Sequence, residues 1–228
     1  MIPRKHLLFI AMAVLANAGL SAYYYPRLPN PCPIHWNLHG EVDDYGSPMT
    51  LAMLGPGVSL GIAVLMSVLP LLGPMRSNFE TFRVTYGRIA VTLAVFFFGI
   101  QIVLLLAATE NRLRIGPSLC VLFGLMFAVL GNWMGKLRRN LYVGIRTPWT
   151  IANDVVWEKT HRLGGRLFVL AGLISAAAGL FASEKACFVT LMTSIGVSVI
   201  WSGLYSLVVY RRLGQVDDFA PGSTGHVK

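Results

Sequence analysis

Six stretches of this chain, residues 7–25, 49–72, 89–108, 115–135, 167–183 and 186–210, contain no Asp, Glu, Lys, Arg or His, and each is 17 to 25 residues long. About 20 apolar residues in a helix cross the hydrocarbon layer of a bilayer. Lipid offers a backbone amide no partner, so such segments satisfy their own amides as helices, and the alternating pattern of a membrane barrel is absent. The predicted fold class is all-α, a polytopic membrane protein of six transmembrane helices. Of the 228 residues 55% are hydrophobic and 13% charged, against about 25% charged in a soluble domain. That balance excludes a disordered tail, a basic nucleic-acid binder and an ordinary cytosolic enzyme.

The 19 basic residues are not spread evenly. With the N-terminus inside, fifteen of them fall on cytoplasmic segments and four, Arg27, Arg112, Arg114 and Lys185, fall outside. Cytoplasmic loops retain Lys and Arg, so both termini are expected in the cytoplasm. The net charge of +9 then reflects sidedness, and no direct nucleic-acid contact is expected. The first run has a rival reading as a signal peptide, because Arg4 and Lys5 precede it and Ala16-Asn17-Ala18 has the small-residue form of a cleavage site. Its continuation into Tyr23, Tyr24 and Tyr25, aromatics suited to the headgroup level, favours a retained helix.

Ionisable side chains at depth are what pumps and ion-coupled carriers use, and the runs have none. Their polar residues are neutral: Asn17, Gln101, Asn132 and a stripe at Ser194, Ser198, Ser202 and Ser206. Four-residue spacing puts the serines on one helix face, where packing against a neighbour is expected rather than a permeation path. Gly124 with Ala128, Gly172 with Ala176, and Ser175 with Gly179 have the spacing that lets helices approach closely. Cys32, Cys120 and Cys187 are odd in number and lack metal-site spacing; unpaired apolar fillers are expected, with a Cys120–Cys187 bridge as the alternative.

Three loops remain to carry function. Met75, Phe79, Phe82 and Tyr86 recur at helical spacing, with Arg76, Glu80 and Arg83 opposite, which predicts an amphipathic helix lying on the membrane surface as an anchor. The external loop, residues 26–48, has Pro26, Pro29, Pro31 and Pro33 at its start, and Gly40 and Gly46 as expected turns. His35, His39 and Asp43 stand four apart, so a helix there would aim them at one metal ion. Gly40 inside that span favours turn-fixing hydrogen bonds and a contact through Trp36 instead, and no metal or cofactor is expected. In the cytoplasmic loop, residues 136–166, Pro148 disfavours helix at Thr147, and Asn153 before Asp154 reads as the cap of a helix running into the fifth span. Trp157, His161 and Phe168 would share one face of it, with Gly164-Gly165 as a hinge or close-packing point. Trp149 and Trp157 are expected chiefly as interfacial anchors, with partner recognition as their other reading.

At two of these loops the chain resembles the SdpI-type immunity proteins of bacteria. Pro33-Ile34-His35-Trp36-Asn37, then Gly40, Asp43 and Tyr45-Gly46-Ser47, are similar to a small N-terminal module that often accompanies SdpI. Asn140, Gly144-Ile145-Arg146-Thr147-Pro148-Trp149-Thr150, Asn153, Trp157 and Thr160-His161-Arg162 resemble the SdpI signature. The resemblance implies a multi-pass plasma-membrane protein that protects its cell from a secreted peptide toxin and that holds a small cytoplasmic repressor at the membrane. It divides the chain into a two-helix module, residues 1–72, and a four-helix module, residues 73–228, with an amphipathic linker at 74–88.

The expected contacts are His35, Trp36, Asn37, Gly40, Asp43 and Gly46 for the toxin, and Arg146, Thr147, Pro148, Trp149, Asn153, Trp157 and His161 for the cytoplasmic partner. No catalytic set is expected, because no nucleophile stands beside a base and no paired carboxylates or phosphate-cradling glycines occur in a plausible setting. The alternatives are a transport or efflux component for a small molecule or lipid, a surface enzyme built on His35, His39 and Asp43, and a structural role.

Overall fold

In the computed structural model, which describes residues 2–72, 76–109 and 113–218, the apolar runs form α1 (Arg4–Tyr24), α2 (Pro48–Leu72), α3 (Arg76–Thr109), α4 (Ile115–Met134), α6 (Asp154–Phe181) and α7 (Glu184–Asp218). All six are long and apolar enough to cross a membrane. A short helix, α5 (Pro148–Ala152), sits between α4 and α6, and a two-stranded antiparallel hairpin, β1 (Cys32–Trp36) and β2 (Val42–Gly46), joins α1 to α2.

The chain folds as two packed groups, α1 with α2 and α3, and α4 with α6 and α7, meeting where α3 packs on α4. Buried amides lock the first group. Asn17 donates to Ser59 at 2.7 Å, tying α1 to α2, and Gln101 on α3 donates to Ser21 at 3.0 Å and to the Leu51 carbonyl at 3.1 Å. A Cβ on Gly55 would stand 2.4 Å from the Gln101 Oε1, so only glycine leaves room for that amide. Away from water such bonds replace the unpaired polar groups the helices would otherwise carry into lipid, a gain of about 1 kcal/mol each.

The second group uses close approach instead. A Cβ on Gly172 would fall 2.4 Å from the Gly124 carbonyl oxygen, one on Gly131 2.6 Å from that of Gly165, and one on Gly179 2.7 Å from that of Pro117. The backbones of α4 and α6 therefore touch at three levels, and Gly165 is a packing point within a continuous helix. The serine stripe faces inward as expected: Ser194 and Ser175 bond at 3.1 Å, and Ser198, Ser202 and Ser206 are buried. The three cysteines are free and buried, with the Cys120 thiol turned to the Ser175 carbonyl at 3.1 Å.

Two expectations need correction. The stretch from Arg76 is not a separate surface helix, because it is continuous with the third span in α3. Phe79, Phe82 and Tyr86 are buried in a protein core with Ile2, Ile10, Met66 and Trp157, and the Tyr86 hydroxyl donates to the Met66 carbonyl at 2.9 Å. Amphipathic spacing reports an apolar face but not what covers it, and here α1 and α2 compete successfully with lipid. Met75 lies outside the described residues. The loop between the first two spans, in turn, pairs as a hairpin, so Gly46 is a strand residue opposite Cys32, where its missing side chain leaves space for Ile34.

Candidate functional sites at the two ends of the bundle

Asn37 builds the hairpin turn. Its side-chain oxygen accepts from the amides of His39 at 2.8 Å and Glu41 at 3.1 Å, and its backbone amide donates to the Glu41 carbonyl at 2.8 Å. Gly40 completes the turn at φ +78, a conformation that costs other residues strain. The strands place His35 beside Asp43, with Nδ1 2.5 Å from the carboxylate, while His39 stays at the tip. The helix that would align His35, His39 and Asp43 on one ion does not form. Trp36, half-buried, follows on β1, and Cys32 is fully enclosed, where burial pushes its thiol pKa up.

Beneath the hairpin is a cavity of about 830 Å³. Ile34, Trp36 and Leu38 roof it, Leu119, Phe123 and Phe127 of α4 form one wall, and Phe188, Leu191 and Met192 of α7 form another. His35, Asn37, Asp43 and Glu184 bring polar groups to its outer rim. The Glu184 carboxyl is wedged between two glycines. A Cβ on Gly40 would stand 3.0 Å from it and one on Gly116 2.1 Å. Its Oε1 is 3.5 Å from the Arg114 guanidinium, whose other arm donates to the Ala182 carbonyl at 3.0 Å.

At the opposite end the segment between α4 and α6 folds as a strap held by its own polar residues. Asn140, fully buried, accepts from the amides of Tyr142 at 2.7 Å and Val143 at 2.9 Å and donates to the Arg138 carbonyl at 2.8 Å. His161 lies under the strap. Its Nδ1 is 2.8 Å from the Trp157 carbonyl and its Nε2 accepts from the Ile145 amide at 2.9 Å, a pattern that requires the Nδ1–H tautomer. Gly144, at φ +115, passes so close that a Cβ would be 2.3 Å from that Nε2. The Trp157 ring stacks on the imidazole at 4.0 Å and donates to the Leu137 carbonyl at 2.9 Å.

The rest of the strap docks on α6 and α7. Thr147 and Thr150 cap α5 reciprocally, with Pro148 in its first turn, and the Thr150 hydroxyl donates to the Ile145 carbonyl at 2.9 Å. Asn153 caps α6 through the amides of Val155 at 2.8 Å and Val156 at 3.2 Å. Arg139 reaches Asp154 at 2.8 Å and the Ile151 carbonyl at 2.8 Å. Ser206 of α7 receives the Trp149 indole N–H and lies 3.2 Å from the Thr147 hydroxyl. Arg146 is exposed and donates to the Leu141 carbonyl at 2.7 Å.

Sequence reasoning grouped Arg146, Thr147, Pro148, Trp149, Asn153, Trp157 and His161, and the fold brings them together as one strap. It divides them, though, by exposure. Arg146 and Pro148 face outward, Thr147, Trp149 and Asn153 are half-buried, and Trp157 and His161 are enclosed. Trp157, 2% exposed, is therefore not an interfacial anchor. Sequence reasoning left two residues out of the expected contacts, although Asn140 stands in the stretch that resembles SdpI. Asn140 organises the strap yet reads as one more polar loop residue, and Glu184 reads as a linker although it is the lone acid between the last two apolar runs.

Six apolar helices, a shaped hairpin over an apolar cavity at one end and a hydrogen-bonded strap at the other define a polytopic α-helical membrane protein. Residues 136–206, which include the strap, match the SdpI/YfhL protein family, and residues 12–60, which include the hairpin, match a domain of unknown function (DUF1648). Over 210 residues the chain is 22% identical to the immunity protein SdpI of Bacillus subtilis (strain 168), an alignment covering 92% of this chain and 98% of that protein. No solved structure matches. Over residues 136–206 the chain is thus similar to the SdpI/YfhL family, and over nearly its whole length to one immunity protein.

Proposed function

We propose that this is a non-enzymatic immunity protein of the bacterial plasma membrane that protects its cell from a secreted peptide toxin. The observation that carries the reading is the similarity to a named immunity protein over 98% of that protein's length. The basic bias supports an arrangement with both termini and the strap in the cytoplasm and the hairpin outside. In this arrangement the toxin meets the hairpin through His35, Trp36, Asn37 and Asp43, whose shape Gly40 and Gly46 maintain. A small cytoplasmic repressor meets the strap through exposed Arg146 and the Trp149 edge, while Trp157, His161 and Asn153 hold that surface in place.

The test is survival of a toxin-sensitive bacterium expressing the protein and challenged with an SdpI-class peptide toxin. Wild type is expected to protect, His35→Ala to weaken protection, and Arg146→Ala to spare protection while releasing the repressor from the membrane fraction. Undiminished toxin killing in cells with well-inserted wild-type protein would overturn the immunity reading.

A further inference from the structure

Resting on the immunity reading, we propose that the cavity under the hairpin is the ligand site, and that it takes an apolar peptide segment carrying one cationic group, an amine or guanidinium, which pairs with Glu184. Three observations converge on this chemistry. The cavity, about 830 Å³, lies within the range of specific ligand sites, roughly 300–1,000 Å³, and is walled by aromatic and aliphatic side chains. Its rim is acidic, with Asp43 and Glu184 and no lysine or arginine among the described lining residues. One acceptor there is left over. Asp43 is engaged by His35 and Glu184 Oε1 faces Arg114, but Glu184 Oε2 is buried with no hydrogen-bond partner among the described residues.

A buried carboxylate oxygen without a donor is an unfavourable arrangement, and a ligand that supplies a charged donor removes it with the strongest kind of hydrogen bond. Gly40 and Gly116 hold the carboxyl from both sides with Oε2 enclosed, so a ligand's cationic end reaches that oxygen as the carboxyl turns out toward the cavity. An anionic phospholipid would present its phosphate to this same acidic rim, and a zwitterionic one would bring a phosphate along with its ammonium group. Charge complementarity therefore favours a cationic apolar peptide over lipid. The site joins elements from both helix groups, since β1, α4 and α7 all contribute, so occupancy bridges them.

The experiment uses full-length protein in phosphatidylcholine nanodiscs. The probe is a leucine–alanine peptide with a free N-terminal amine and a photoreactive leucine, compared with its N-acetylated twin. The amine form is expected to bind about tenfold tighter than the twin, as one charge-assisted bond in a water-poor site provides. It should crosslink to Phe123, Phe188 or Met192. Glu184→Gln should erase the difference between the twins while leaving the thermal midpoint near wild type, and Leu119→Trp, which fills the cavity, should weaken both.

Equal binding of the twins to wild type, or crosslinks outside the cavity, would overturn the proposal. So would a phospholipid that co-purifies with wild type, is lost in Leu119→Trp and resists displacement by the probe, since it would assign the cavity to lipid. Toxin challenge is scored separately. Cavity binding without protection removes the immunity reading and leaves the ligand chemistry standing, whereas protection without probe binding removes the ligand chemistry alone.

Discussion

Gly144 shows how much can rest on one hydrogen atom. At φ +115 it lets the strap cross directly over the His161 ring, so that the Ile145 amide lands on Nε2 at 2.9 Å. Gly144→Ala adds backbone strain and a methyl 2.3 Å from that nitrogen, and is expected to cost roughly 1–3 kcal/mol. A fall in the thermal midpoint of detergent-solubilised protein, with the tryptophan fluorescence changing in step, is the measurement. Cys32, in the hairpin, is a second case. Because burial raises its pKa above the ordinary thiol range, the folded protein favours the protonated thiol. The thiolate that reacts with maleimide should therefore appear only above the ordinary thiol range, and labelling at pH 8 should be far slower than in urea. Rapid labelling of folded protein at that pH would contradict the enclosure of β1 over α2.

Among the individual site residues, legibility in the sequence followed the range of the interaction. Asn153 was readable as a cap because its partners, the Val155 and Val156 amides, are two and three residues away. Trp157 was misread because what buries it, the Leu137 carbonyl and the core around Tyr86, comes from distant segments. Glu184 gave no signal beyond its charge, because its neighbours Gly40 and Gly116 come from other elements.

Among the elements, the helices were visible in the sequence and the hairpin was not. Hydropathy placed every span, and the Asn153-Asp154 pair located the start of α6 a full 13 residues before its apolar run. The hairpin has only 5 residues per strand, and its register shifts at two places around His35, so alternation never accumulates. Prolines and glycines there read equally well as turns. The α4–α6 seam was foreseen from glycine spacing, and it yields the sharpest test. Gly172→Leu drives a side chain into the Gly124 carbonyl and the Ala128 amide, so loss of stability by about 1–3 kcal/mol is expected, with steric trapping or heat as the readout. An unchanged midpoint would mean that α4 and α6 are not in backbone contact.

For the molecule as a whole, the arrangement predicts sidedness. Single cysteines at His39 and at Arg146, in a background where Cys32, Cys120 and Cys187 are replaced by alanine, should react with a membrane-impermeant maleimide from opposite sides. His39→Cys should label in intact cells, and Arg146→Cys only after permeabilisation. The reverse pattern would invert the proposed topology and place the toxin on the strap. Both ends are fastened to α4. Glu184 rests against the first turn of α4 above, and the strap leaves the last turn of α4 and returns at the first turn of α6 below.

That glycine seam has a mechanical consequence. Two helices whose main chains meet at Gly124, Gly131, Gly165, Gly172 and Gly179 have no compliant side chains between them to absorb a push, so they cannot slide past one another without tearing the seam open. They behave as a single beam. At 1.5 Å per residue, the 20-residue α4 makes the paired part of that beam about 30 Å long, and α6 continues beyond it. A tilt imposed on this beam under the hairpin is expected to reach the His161 stack at the opposite end of the bundle.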